Sequence, residues 1–229
     1  GCLSKTDGTT SMIVKLDAFQ SYFVVFYHRQ SPDKNKNLTV DMLQEKQTLF
    51  TLEGPWNVTF DTTWGGPAEV VFDSLTDWSK MSEDGIRYYS GIAVYRKSFD
   101  LPGNTEISEK SRYFLDLGKL KNMGRVKLNG MDLGILWTSP LQADITDALK
   151  IKDNQLEIEV ANLWINRLIG DETQPWDGVK DNKWPEWLVN GTPRPSKRYT
   201  FTTYHFYKKD DPLSESGLIG PVSIQKRQE

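Results

Sequence analysis

Hydrophobic and polar positions alternate with a period of two through most of this chain. Trp56, Val58 and Phe60 fall on one side of such a stretch, and Asn57, Thr59 and Asp61 on the other. Leu156, Ile158 and Val160 alternate in the same way with Glu157, Glu159 and Ala161. Successive side chains of an extended strand point to opposite faces, so the pattern describes strands with one buried and one wet face. Further strands are predicted over 69–73, 92–99, 112–117, 124–128, 200–207 and 221–225. Asn129-Gly130, between Val126-Lys127-Leu128 and Met131-Asp132-Leu133, predicts a type I′ hairpin, because both central residues of that turn take positive φ. Helical periodicity is weak and suggests only short turns over 76–81 and 144–149. Many short strands broken by Gly, Pro and Asn predict an all-β sandwich with Greek-key or jelly-roll wiring. A β/α barrel would need about 250 residues of alternating strand and helix. Trp56, Tyr89 and Tyr95 are expected in the core.

The alternation divides the chain. Residues 1–45 hold a polar start, the apolar stretch Met12-Ile13-Val14-Lys15-Leu16, the aromatic run 22–27 and a polar linker over 31–37. They are expected to be a strand segment and linker continuing from a preceding domain, with the sandwich occupying 46–229. The run 22–27 is far too short to cross a bilayer. The N-terminus lacks the basic and apolar regions of an intact signal peptide.

Charge and composition narrow the function. A net charge of −3 with scattered Lys and Arg argues against a nucleic-acid partner. The single Cys, Cys2, excludes an internal disulfide and a thiolate metal site. Eight Trp, gathered in the second half, must be either core or a stacking surface.

Three blocks carry a family resemblance. Tyr88-Tyr89-Ser90-Gly91-Ile92-Ala93-Val94-Tyr95-Arg96-Lys97-Ser98-Phe99 resembles a strand of the sugar-binding domain of family 2 glycoside hydrolases. The stretch from Val126-Lys127-Leu128-Asn129-Gly130 through Leu133-Gly134 and Pro140 to Asp144-Ile145-Thr146 resembles the next segment of that domain. Asn154-Gln155-Leu156-Glu157-Ile158-Glu159-Val160-Ala161-Asn162 resembles the strand that follows. The blocks Asn162-Leu163-Trp164-Ile165-Asn166-Arg167-Leu168-Ile169-Gly170-Asp171, Trp184-Pro185-Glu186-Trp187 and Arg194-Pro195-Ser196-Lys197-Arg198-Tyr199 are similar to the C-terminal region of bacterial family 106 α-L-rhamnosidases, as are residues 16–26. The resemblance implies a jelly-roll β-sandwich of the galactose-binding-domain-like type. It also implies a parent enzyme that degrades plant polysaccharides, in the periplasm or at the cell surface. The barrel that would carry the catalytic acids of such enzymes has no counterpart in this sequence.

Catalytic constellations are weak. Glycosidases set two carboxylates roughly 5–9.5 Å apart, but with 31 acidic residues some pair must be close by chance. Glu157 and Glu159 read as solubilising, and Asp171, Glu172, Asp210 and Asp211 as loop residues with structural or solvated roles. His28 and His205 lack partners for a zinc site. Neither a nucleophile elbow nor a phosphate loop is present. Sequons at Asn37, Asn57 and Asn190 read as chance.

Aromatic residues remain. Sugar rings present apolar C–H faces that stack on Trp or Tyr while nearby polar groups bind the hydroxyls. The stretch 164–187 reads as a loop and offers Trp164, Asn166, Arg167, Asp171, Trp176, Trp184, Glu186 and Trp187 as a carbohydrate-binding set. The alternative is that these Trp residues plug the sandwich or dock against the catalytic domain of the parent chain. A glycan surface should show exposed, parallel rings beside unpaired polar groups; a docking surface should show a bare apolar patch. A structural calcium ion would draw on Asp153-Asn154 or Asp171-Glu172, and no other cofactor is expected. The chain is accordingly expected to be an accessory, non-catalytic module of a glycoside hydrolase. The alternatives are a free-standing carbohydrate-binding protein and a glycosidase in its own right.

Overall fold

In the computed structural model, residues 46–103 and 105–228 are described, with the short strands Leu3–Thr6 and Thr9–Met12 and residues 14, 16, 21 and 23. His28, Asn37, the 31–37 linker and most of the run 22–27 lie outside the described residues. Among the described residues fourteen strands follow one another: β1 (Leu3–Thr6), β2 (Thr9–Met12), β3 (Gln47–Thr51), β4 (Trp56–Phe60), β5 (Val70–Phe72), β6 (Ile92–Phe99), β7 (Ser111–Asp116), β8 (Lys119–Lys121), β9 (Met123–Leu128), β10 (Met131–Leu136), β11 (Gln142–Asp144), β12 (Asn154–Ala161), β13 (Gly217–Gly220) and β14 (Ser223–Gln228). Among the described residues three short α-helices are added: α1 (Asp84–Arg87), α2 (Ile165–Asp171) and α3 (Glu186–Val189).

Two antiparallel sheets make the sandwich. The larger has the order β10-β9-β12-β6-β4-β5 and the smaller β11-β7-β14-β3. The chain passes repeatedly from one sheet to the other, which is jelly-roll wiring. Inward residues of both sheets share one core: Trp56 and Val58 of β4, Tyr95 of β6, Ile158 of β12, Leu115 of β7 and Ile224 of β14 are all buried. Outward positions of the large sheet are charged, with Lys127 bridging Glu157 and Glu159.

Aromatic packing anchors the centre. Trp78 stacks on Tyr95 with 5° between the ring planes, and its indole N–H donates to the Tyr95 hydroxyl at 2.6 Å. Burial pushes the Tyr95 phenol up from its ordinary value. A 3₁₀ turn over Trp78–Lys80 delivers this indole, capped by Asp77, whose Oδ1 accepts from Ser79 N and Ser216 N. Gly217 lies across the ring at φ +91°, where a Cβ would fall 2.5 Å from the indole.

Most of the predicted elements form. The strand over 92–99 has those bounds, and 69–73, 112–117, 124–128 and 221–225 each overlap an observed strand within a few residues. Asn129 and Gly130 take φ 53° and 84° between β9 and β10, as the hairpin requires. A turn follows Asp144, whose side chain accepts from Thr146 N.

Two expectations are overturned. Residues 200–207 form no strand. The backbone N–H of Thr200 is donated to the Asp171 carboxylate and the carbonyls of Thr200 and Thr202 accept from Arg194, so these groups are not left for a ladder. The region 164–187 is not simply loop, because Ile165–Asp171 forms α2. Its apolar Ile169 and its polar Asn166, Arg167 and Asp171 are all buried, so periodic burial of polar groups hid the helix from a hydrophobic count.

Candidate docking and ligand surfaces

Residues 162–216 form a long excursion between β12 and β13, held by buried polar contacts. Asn162 starts it: its side chain accepts from Gly91 N and donates to the Tyr89 carbonyl. Asn166 of α2 closes it, donating to Ser214 O at 2.7 Å and accepting from Ser214 N at 2.8 Å. Asp171, fully buried, accepts from both the N–H and the hydroxyl of Thr200 at 2.7 Å. Its other oxygen lies 3.3 Å from Arg167 Nε. The Arg167 guanidinium lies over the rings of Tyr88 and Tyr199; burial draws its pKa down, against the pull of Asp171. Gly170 lets α2 approach this cluster, since a Cβ there would come within 2.6 Å of Tyr88 and Arg167.

A second cluster surrounds Trp176. Glu172 binds Arg198 with one oxygen and His205 with the other. Arg198 lies over the Trp176 ring and His205 stacks on it at 3.6 Å. Asp177 makes a forked pair with Arg194, and Arg194 covers the ring of Trp187. Burial alone would raise the Asp177 carboxyl, but hydrogen bonds from Arg194 and Ser196 outweigh it and hold it below the usual carboxylate value. The indole N–H groups of Trp176 and Trp187 donate to the carbonyls of Val179 and Asp177.

These contacts sort the eight residues singled out in the sequence. Asn166, Arg167 and Asp171 are buried within the fold. The assignment of Asp171 to a polar loop is corrected, because it ends a helix and is sealed from solvent by Thr200 and Arg167. Trp176 and Trp187 are half-buried, with their N–H groups turned to the backbone. Trp164, Trp184 and Glu186 are exposed. Two of the calcium candidates, Asn154 and Asp171, are already committed to partners within the fold. The Asn154 oxygen accepts from Lys150 N and from Asn129, and the Asp171 oxygens face Thr200 and Arg167. Among the described residues, no three carboxylate, imidazole or thiol groups come together as a metal site would need.

Sequence reasoning missed the residues that form the outer surface with Trp164 and Trp184. Trp64 meets Trp164 edge to face at 78°, and Trp164 meets Phe201 at 85°. Phe201 is 77% exposed. Trp184 stands at 83° to Tyr204. Beside the start of the excursion, exposed Ile92 and Met123 flank Ala161 in register across β6, β12 and β9, so the end of the large sheet is apolar too. The alternation of Thr with aromatic residues over 200–206 was the available signal. Thr200, Thr202 and Thr203 are buried there, and Phe201, Tyr204 and Phe206 are exposed.

Away from this region, a groove of about 570 Å³ runs beside Trp137, lined also by Leu120, Asn122, Thr138, Ser139 and Leu141. Asn122 also lines a neighbouring pocket of about 330 Å³ with Asn162, Ser214 and Ser216.

With this geometry in view, the chain can be compared with known proteins. No family model matches it. A Formosa agariphila protein named "Putative beta-glucuronidase" is 42% identical over 177 residues, covering 76% of this chain and 15% of that protein. The structure of a rhamnosidase from Novosphingobium sp. PP1Y is similar with a TM-score of 0.66 at 34% identity, over 80% of this chain and 15% of the other. A β-D-glucuronidase structure from Dictyoglomus thermophilum shares the fold, with a TM-score of 0.52 at 20% identity over 80% of this chain and 28% of its own. The chain is a glycoside-hydrolase-related β-sandwich domain of the galactose-binding-like type. It spans about 15% of the length of the first two proteins it matches.

Proposed function

We propose that this chain is a non-catalytic accessory module of a polysaccharide-degrading glycoside hydrolase of the family 106 α-L-rhamnosidase type. Its work is to buttress the catalytic part of its parent through the aromatic surface of residues 162–206. The observation that carries this reading is the attitude of the exposed rings. Trp64, Trp164 and Phe201 meet edge to face, as do Trp184 and Tyr204. The charged groups of the same region are already paired inside the fold: Asp171 with Arg167, Glu172 with Arg198, Asp177 with Arg194. A sugar platform needs flat open rings beside uncommitted polar groups. An apolar patch whose neighbouring charged groups are already paired suits a protein partner. That the chain matches only 15% of each relative supports a catalytic domain of the same parent as the occupant.

The test is made in the full-length parent carrying Trp164→Ser and Phe201→Ser together. The module should remain folded, become separable from the rest by limited proteolysis, and leave the catalytic part with reduced activity and thermal stability. Unchanged proteolysis and activity would overturn the docking role. Titration of the wild-type chain with L-rhamnose and rhamnose-bearing oligosaccharides, with heat lost in the same variant, would make the patch a glycan platform instead.

A further inference from the structure

We infer that the groove beside Trp137 is a saccharide subsite for a neutral pyranose unit of an oligosaccharide, with Trp137 as the stacking platform and Asn122, Thr138 and Ser139 as the hydroxyl-binding groups. Trp137 follows the last residue of β10, an edge strand of the large sheet, and 71% of it is exposed. Its ring has no aromatic neighbour among the described residues, in contrast to Trp164 and Trp184, which are met by other rings. Among the described residues the side chains of Asn122, Thr138 and Ser139 have no hydrogen-bond partner, so within that set an amide and two hydroxyls surround one exposed ring. That combination is what a pyranose requires: an apolar face against the C–H surface and short-range donors and acceptors for the equatorial hydroxyls. It is also what the 164–187 region lacks.

The lining selects the class of sugar. Among the described residues no charged side chain lines the Trp137 groove, which pairs the polar groups with Leu120 and Leu141 and also takes in Ser21. The nearest cation in sequence is Lys121, which faces the adjoining pocket and lies 3.7 Å from Glu215. A uronate carboxylate would therefore meet no counter-charge among the described residues of the groove, and burying it there without one would be unfavourable. The volume of about 570 Å³ lies within the range of small-ligand sites. Asn122 also walls the pocket of about 330 Å³, so a bound chain of sugars can continue past it toward Ser214 and Ser216.

This site is independent of the docking surface, because it uses none of Trp64, Trp164 or Phe201. The experiment is an NMR titration of this chain with neutral pyranosides from methyl α-L-rhamnopyranoside to a tetrasaccharide, with methyl β-D-glucuronide as the charged comparison. The Trp137 indole and Asn122 amide signals should shift saturably, more tightly for the tetrasaccharide than for the monosaccharide and weakly for the glucuronide. Trp137→Ala should weaken binding by at least about tenfold, Trp137→Tyr should keep part of it, and Trp184→Ala should leave it unchanged. Circular dichroism confirms that each variant is folded. The inference is overturned if no neutral saccharide moves the Trp137 signal, if the glucuronide moves it equally, or if Trp184→Ala removes binding and Trp137→Ala does not.

Discussion

Asp171, at the end of α2, receives both the backbone N–H and the hydroxyl of Thr200 at 2.7 Å across 29 residues of chain. This contact, with Arg167 on the other oxygen, fastens the segment bearing Phe201 and Tyr204 to the sandwich. Asp171→Ala leaves the Arg167 guanidinium buried without its carboxylate, so a loss of about 3 kcal/mol is expected in urea unfolding. Thr200→Val, which removes one donor and keeps the shape, should cost about 1 kcal/mol. Hydrogen exchange should report faster opening of residues 198–206 in both variants; equal protection would remove the fastening role.

Trp78 and Gly217 are fitted to each other in the core. Gly217→Ala places a Cβ 2.5 Å from the indole at a left-handed φ of +91°. The cost should be roughly 2 kcal/mol or more, from strain and overpacking together. Tyr95→Phe, which strands the Trp78 N–H in the core, should cost about 1–3 kcal/mol. Thermal denaturation of the two variants decides both values.

The Asp177–Arg194 pair predicts a pH dependence. The folded state holds the Asp177 carboxyl below its ordinary value, so the unfolded chain takes up the proton first as pH falls. The stabilisation is complete above the ordinary aspartate range, near about 3.9, and is lost below it as pH drops through the depressed folded value. Asp177→Asn should therefore lower stability at neutral pH and flatten its decline in acid. Urea midpoints measured between pH 7 and about pH 2.5 test this; parallel curves for the two proteins would contradict it.

The bare patch has a consequence for the isolated chain. Trp164→Ser with Phe201→Ser should reduce binding of a hydrophobic dye and any self-association. Phe201 is largely exposed, so its replacement alone should cost little beyond its ring contact, whereas loss of Trp164, packed on Trp64 and Phe201, should cost about 1–2 kcal/mol. Unaltered dye fluorescence would place the apolar surface elsewhere.

The sequence by itself determined the strands whose two faces meet different solvents. In β4, β6 and β12 the side-chain period coincides with burial, and Asn129-Gly130 carries its turn in its own φ preferences. Such information is local: it needs only neighbouring residues and the pleat of a strand. The sandwich class and the core positions of Trp56, Tyr89 and Tyr95 followed from it.

Tertiary structure alone decided what became of the excursion. Residues 200–207 are rich in the Thr and aromatic residues that strands favour, yet they form no strand, because Asp171 and Arg194 take the backbone groups a ladder would use. A Trp carries no local mark of its fate: Trp78 is sealed against Tyr95, Trp176 lies beneath Arg198 and His205, and Trp137 stands open beside Asn122. Whether a ring is core, clamp or platform depends on groups brought to it from distant parts of the chain. Burial is a property of the packed assembly, and only the fold supplies those neighbours.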